Sequence, residues 1–249
     1  RDRIRNIGEK VASFLLSEYL RTQASEVALL DAQSLIKIRQ IGKNREVDYQ
    51  PSLANIKDKI SELKGIGVLP GFIGSAEDGS VRTMGRGGSD LTASVIAEAI
   101  QAEVMILWSD VSGMYTADPR IVPDAFCIGE LSYEEALEMS YFGAGILYPP
   151  AVLPALRSNI PIQIKNSFFP EEKGTRIERY SRDERIVKGI SCVKNISMIS
   201  LIGGGMVGVA GIASRTFTCL SENGINVIFI SQSSSEHSIF IGIQSEEQQ

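Results

Sequence analysis

Apolar residues recur along this chain with two alternating periods, and that alternation is the first guide to its architecture. Ile4, Ile7, Val11, Phe14 and Leu15 fall on one stripe of a helix over about residues 3–20. Glu18 falls on the same stripe and weakens it towards the helix end. The run Val27–Leu30 predicts a strand, and Asp31 stands where it can cap a short helix over Ala32–Ile36. Residues Gln40–Tyr49 are polar and read as a surface loop. A helix is predicted over Asn55–Lys64, stopped by Gly65, and a strand over Ile66–Ile73. A helix starting at about Asp90 and running to Glu103 follows, then the apolar run Val104–Trp108, which fits a buried parallel strand. Ser132 and Glu135 form a capping box before a helix to about Tyr141. Pro149 and Pro150 open another helix, and Ile160–Ile164 is the next strand. Strands alternating with helices predict a three-layer α/β domain.

The pattern changes after Gly174. Tyr180–Arg185 is a charged stretch that reads as a linker, dividing a domain over 1–180 from one over 186–249. Beyond it come a strand (Met198–Ile202), a helix (about Val207–Glu222) and two strands (Ile225–Ile230 and Ser238–Ile243). This order matches the first part of a βαββαβ ferredoxin-like unit. An RNA-binding module of that shape is the rival reading, but no basic aromatic strand motif supports it.

Composition narrows the classes. The 249 residues carry a formal net charge of −5 and are 43% hydrophobic. That is ordinary for a globular chain with a core, and it disfavours nucleic acid or an anionic membrane as partner. No apolar run approaches the ~18 residues of a membrane span. No secretory signal is legible, so a cytoplasmic location is expected. Cys127, Cys192 and Cys219 have no metal-ligand spacing and read as reduced, mostly buried thiols. His237, the one histidine, reads as a surface residue between two strands.

The candidate chemistry centres on Thr83-Met84-Gly85-Arg86-Gly87-Gly88-Ser89-Asp90. Glycines there let backbone N–H groups approach an anion closely, and a glycine loop opening a helix is a ready phosphate or carboxylate site. Arg86 adds a charge-assisted donor, and Asp90 a carboxylate able to order a cation or a lysine. The simpler reading is a helix-capping turn with Asp90 as N-cap. Ser109-Asp110 stands at the carboxyl end of the following strand, where open α/β sheets bind ligands.

Two stretches in this order, Gly85-Arg86-Gly87-Gly88-Ser89-Asp90 and Trp108-Ser109-Asp110-Val111-Ser112-Gly113-Met114-Tyr115-Thr116-Ala117-Asp118-Pro119-Arg120, closely resemble aspartate kinase of the amino-acid kinase family. The resemblance continues through Met139–Ala144, Ile164–Ser167 and Lys173–Arg176, then Gly203–Met206 and Ile230–Glu236. It implies an amino-acid kinase domain followed by an ACT segment, a small amino-acid sensor. The implied reaction is ATP plus L-aspartate giving ADP and 4-phospho-aspartate, with Mg2+ as cofactor. By motif, Arg86 would hold the substrate's α-carboxylate, Ser89 would donate to it, and Glu9 would pair its ammonium. Asp90 would be the catalytic carboxylate, orienting a lysine or the magnesium. Ser109, Asp110, Tyr115, Arg120 and Lys165 would face the nucleotide, although Arg120 also reads as a turn residue paired with Asp118. Met206, Gly211, Asn226 and Gln232 would line the effector site. Ile228 offers no charge to a lysine effector, so threonine is favoured. A homodimer through the ACT segments is expected by resemblance.

Departures from the family pattern temper this reading. The family has a lysine after Phe-Gly-Ala and a histidine before the following proline; this chain has Gly145 and Tyr148. Nothing here matches the family's opening Lys-Phe-Gly-Gly-Thr-Ser loop. The expectation is therefore an aspartate kinase piece cut at both ends and inactive by itself, with a bifunctional aspartate kinase/homoserine dehydrogenase as a candidate parent. The alternative is a non-catalytic amino-acid-sensing regulatory chain of an aspartate kinase. Glutamate or carbamate kinases are disfavoured by the ACT segment.

Overall fold

Two separately cored units make up the chain, Arg1–Ser191 and Cys192–Gln249. The computed structural model describes residues 2–23, 26–41, 44–141, 146–233 and 237–245. In the first unit the order is α1 (Asp2–Arg5), α2 (Ile7–Gln23), β1 (Val27–Leu29), α3 (Ala32–Leu35), β2 (Ile38–Ile41), β3 (Asn44–Val47) and α4 (Tyr49–Ser61). Then come β4 (Ile66–Val68), β5 (Ile73–Ser75), β6 (Val81–Thr83), α5 (Gly88–Ile100), β7 (Met105–Ser109), β8 (Glu130–Ser132), α6 (Tyr133–Met139), α7 (Pro149–Ser158), β9 (Ile162–Asn166) and β10 (Thr175–Glu178). The second unit holds β11 (Ile196–Ile202), α8 (Ile212–Glu222), β12 (Val227–Gln232) and β13 (Ser238–Gln244).

The first unit is an α/β fold built on a four-stranded sheet of order β7-β9-β10-β8. β7 pairs parallel to β9, β9 antiparallel to β10, and β10 parallel to β8. β1 and β4 form a separate parallel pair, and β2–β3 and β5–β6 are hairpins. α5 stands between two apolar cores. Ala97 faces a core that includes Met105, Ile162, Ile164 and Ile177, while Val95 and Ala99 face one with Leu35, Ile36 and Ile56. A helix buried on two sides needs small residues, and Thr92, Ser94, Ala97 and Ala99 supply them. In the second unit β13 is the central strand, antiparallel to β11 and β12, and Ile239, Ile241 and Ile243 form its core with α8 residues such as Phe217.

Several elements differ from the sequence pattern. The apolar stripe of α2 faces outward: Ile7, Val11, Phe14 and Leu15 are exposed, and the buried residues are Ser13 and Ser17. Small side chains are buried where a larger one would hold the helix off its neighbours, and the Ser17 hydroxyl is satisfied by donating to the Phe14 carbonyl at 2.8 Å. Within the polar stretch 40–49, residues 40–41 and 44–47 belong to the paired strands β2 and β3 rather than to a loop, because Ile38 and Val47 are buried and pair in register. α4 begins at Tyr49, since Pro51 fits a first helical turn. The single strand expected over 66–73 is two, broken at Leu69-Pro70-Gly71-Phe72. β7 is a half-buried edge strand, with Ile106 and Trp108 exposed, instead of a fully buried one. Two of the three cysteines, Cys192 and Cys219, are exposed. α8 starts five residues later than the pattern suggests, after a 3-10 turn over Gly204–Met206.

Tyr133 ties the start of α6 to the turn that leads into β9. Its ring is buried and its hydroxyl donates to the Ile160 carbonyl at 2.6 Å. Burial, with a smaller push from Glu178, raises its pKa to about 12, so it stays a donor at any working pH. Tyr133→Phe leaves that carbonyl without its donor, a cost of about 1–3 kcal/mol. The expected result is a Tm lower by roughly 2–10 °C, read by differential scanning calorimetry.

Candidate functional site

The glycine loop connects β6 to α5. Gly85 and Gly87 have φ of 81° and 67°, a region that side-chain-bearing residues rarely adopt. Gly87, not Asp90, is the N-cap of α5; Asp90 lies in its first turn. The Gly88 N–H donates to the Gly85 carbonyl at 3.2 Å, closing the turn. Phe72 lies beside this loop with φ of 67°, an uncommon conformation for a bulky residue that marks stored backbone strain. Its N–H donates to Thr92 Oγ1 at 3.1 Å, and that hydroxyl donates to the Gly88 carbonyl at 2.7 Å. The break after β4 is thereby tied to the head of α5.

Arg86 and Ser89 are exposed on the loop. Among the described residues neither side chain makes a hydrogen bond or ion pair. Asp90 is half-buried, and burial raises its pKa with no compensating partner. A desolvated carboxylate without a cation beside it costs stability, and such groups cluster at functional sites. Glu9 lies in the first turn of α2, half-buried, and forms no ion pair with Arg86. The structure brings Arg86, Ser89 and Asp90 together on one turn, and Glu9 makes no hydrogen bond or ion pair with them. Gly145 lies outside the described residues.

The carboxyl end of β7 is a second cluster. Ser109 Oγ donates to Asp110 Oδ1 at 3.1 Å, and the Ser109 carbonyl accepts from the Ser167 N–H and hydroxyl. Lys165, on neighbouring β9, places its Nζ 5.4 Å from the Trp108 ring centroid. The segment after Asp110 is pinned by Thr175, which accepts from the Met114 N–H at 2.8 Å and donates to the Ile128 carbonyl at 2.6 Å. Tyr115 bridges to Cys127 within it. Arg120 forms a bidentate pair with Asp118, Nε to Oδ1 and Nη2 to Oδ2 both at 2.9 Å. That is the turn pairing, so Arg120 reaches a phosphate only by leaving Asp118. Among the described residues no group of three His, Cys, Asp or Glu side chains is set to hold a metal ion. No described helix is long and apolar enough to cross a membrane.

In the second unit Gly211 caps α8 and Met206 packs on the Ile239–Ile243 core. Asn226 and Gln232 are exposed at the two ends of β12. The pairing of β12 with β13 shifts register between Val227 and Phe229, which makes Ile228 a bulged residue.

Sequence reasoning missed a cleft of about 1310 Å³ beside the glycine loop, lined by Asp2, Arg45, Thr83, Gly85, Tyr148 and others. Asp2 closes part of it, accepting from Arg45 at 2.8 Å and from Thr83 Oγ1 at 3.2 Å. The cleft includes Met84 and Gly85 but stops short of Arg86 and Ser89. No local pattern signals it, because its walls come from six separate elements and loops.

The profile of the amino acid kinase family matches residues 1–166, and an ACT domain profile matches residues 199–249. The chain belongs to the amino acid kinase family, with an ACT domain after the kinase region. Within that family its homologues are aspartokinases. It is 39% identical over 239 residues to a bifunctional aspartokinase/homoserine dehydrogenase of Haemophilus influenzae, covering 93% of this chain and 29% of that protein. It is 36% identical over 249 residues to the chloroplastic bifunctional aspartokinase/homoserine dehydrogenase 2 of Arabidopsis thaliana, covering 96% of this chain and 27% of the relative. The crystal structure of E. coli aspartokinase III in complex with aspartate and ADP matches with a TM-score of 0.85 at 31% identity, over 98% of this chain and 54% of that one. The chain thus spans under a third of the bifunctional relatives and about half of the E. coli enzyme.

Asp90 gives a pH test. Its folded pKa is raised, so the folded state prefers the protonated carboxyl and ionisation at neutral pH costs stability. Asp90→Asn should therefore raise Tm at pH 7. The gain should fade as pH drops through the ordinary carboxylate range near about 4, where wild type is protonated folded and unfolded alike. Thermal melts from pH 3 to 7 read both.

Proposed function

We propose that this chain is the aspartate-binding and regulatory region of an aspartate kinase that uses MgATP to phosphorylate the side-chain carboxylate of L-aspartate. The observation that carries the reading is the turn at the head of α5. There Arg86 and Ser89 are exposed and, among the described residues, make no hydrogen bond or ion pair, and burial raises the pKa of half-buried Asp90. A planar guanidinium suits a bidentate hold on the substrate's α-carboxylate, and Ser89 donates to the same molecule. Glu9 pairs the ammonium after a movement of α2 or of the loop. Phosphoryl transfer rests on positioning and charge neutralisation, which magnesium supplies when bound and Asp90 helps to orient. Ser109, Asp110, Tyr115 and Lys165 face the nucleotide, and Arg120 joins them on release from Asp118.

We place the kinase part over 1–180 and the ACT part over 186–249, acting in the cytoplasm. Exposed Met198 and Ile202 on β11 support a homodimer through ACT segments. Asn226 and Gln232 bind the amino-acid effector together with the turn from Met206 to Gly211. Ile228 puts no carboxylate on β12 for a lysine ammonium, and burying that ammonium without a partner is unfavourable. Threonine is therefore the proposed effector. Lysine is bound by E. coli aspartokinase III in one crystal structure.

Two measurements test these assignments. Arg86→Ala in the complete enzyme should raise the aspartate KM roughly ten- to a hundredfold, the equivalent of about 1.5–3 kcal/mol, and leave the ATP KM nearly unchanged. An unaltered aspartate KM removes Arg86 from the site. Calorimetric titration with threonine and with lysine should show threonine binding more tightly; the reverse order sinks the effector assignment.

A further inference from the structure

Contacts from three parts of the chain hold the glycine loop. Gly71 lies against Ser89, Phe72 and Met84 lie against Gly88, and Tyr148 lies against Gly87. The Tyr148 contact leaves least room. A methyl group built on Gly87 would fall 2.1 Å from Tyr148 Cγ and 2.4 Å from both Cβ and Cδ1. The tyrosine fills the space that a side chain on Gly87 would need.

Tyr148 is not free to follow the loop. It caps α7 with φ of −80° and ψ of 114°, and Pro149 after it favours that extended conformation. Its carbonyl accepts from the Ala151 N–H at 2.8 Å. α7 is tied to α5, the helix that the loop opens. Arg157 near the end of α7 donates Nη2 to Glu98 Oε2 of α5 at 2.9 Å, and its guanidinium lies 4.5 Å from the Tyr49 ring centroid. The loop and the ring are thus carried by two helices clamped together by an ion pair.

We propose that Tyr148 is a positioning residue for substrate: by filling the space beside Gly87 it holds the loop in one conformation and aims Arg86 and Ser89. The proposal rests on the reading of Arg86 and Ser89 as aspartate ligands. Three glycines in four residues give a chain many accessible states. A bidentate guanidinium tolerates little displacement, and an error of about 1 Å costs on the order of a hundredfold. A ring anchored on α7 removes the alternatives without touching the ligand.

The test compares Tyr148→Ala, Tyr148→Phe and Arg86→Ala in the complete enzyme. Tyr148→Ala should raise the aspartate KM about tenfold or more and keep the ATP KM within about twofold. Tyr148→Phe keeps the ring and should recover most of the loss. If Arg86→Ala raises the aspartate KM and Tyr148→Ala does not, the positioning role is overturned and the substrate reading stands. If neither does, both fall. An equal loss in Tyr148→Phe and Tyr148→Ala also overturns the proposal, because the hydroxyl and not the packed ring would then matter. Should Tyr148→Ala fail to fold, Tyr148→Leu keeps apolar bulk without the flat ring, and calorimetry with L-aspartate reads the same comparison. Tyr148→Leu binding aspartate as tightly as the wild type would refute the role.

Discussion

Gly87 has no room for a side chain, and the candidate site is arranged around that restriction. Its left-handed backbone turns the chain from β6 into α5, and the space a Cβ would take is filled by Tyr148. The cap therefore needs glycine on two separate grounds, conformation and contact. Once the turn is fixed, the first helical residues follow. Gly88 is buried against Phe72 and Met84, while Arg86 and Ser89 are left facing solvent. The helix behind the turn is equally constrained, since it is walled by apolar cores on two sides and most of its buried residues are small, Val95 being the exception. A rigid helix with an exposed, donor-rich head is a suitable platform for an anionic group.

The proposed nucleotide cluster follows a different logic. Its residues sit at strand ends and in the long segment after β7, and they are held by side chain to backbone bonds. Thr175 secures two points of that segment, and Asn166 Nδ2 donates to Ser112 Oγ at 3.1 Å in the buried interior. Such pins give an irregular segment the order that regular structure provides elsewhere. Arg120 is the exception, because its guanidinium is already committed to Asp118. Exposed pairs of that kind contribute little stability, so exchanging Asp118 for a phosphate costs little.

Legibility from sequence varied with the kind of signal. The capping box at Ser132 and Glu135 and the Asp31 cap were readable because each is a local hydrogen-bond pattern with a fixed spacing. The ferredoxin-like order of the second unit was readable from strand spacing, although α8 proved shorter. The β2–β3 pair was not, because most of its strand positions are exposed and carry few apolar residues. The outward stripe of α2 misleads any reading by amphipathicity, since that argument assumes that the apolar face is the buried one. At the candidate site the glycine run, Arg86, Ser89 and Asp90 were all visible as a motif. Tyr148 was visible only as a departure from the family pattern, because its contact with Gly87 joins residues distant in sequence.

The central claim is that the turn from Met84 to Leu91 is the aspartate site. Hydrogen–deuterium exchange with and without L-aspartate tests it on backbone amides directly. The account predicts slowed exchange in peptides spanning Met84–Leu91, with smaller effects elsewhere in the first unit. Exchange unchanged there at saturating aspartate, with protection appearing only in the second unit, would contradict it.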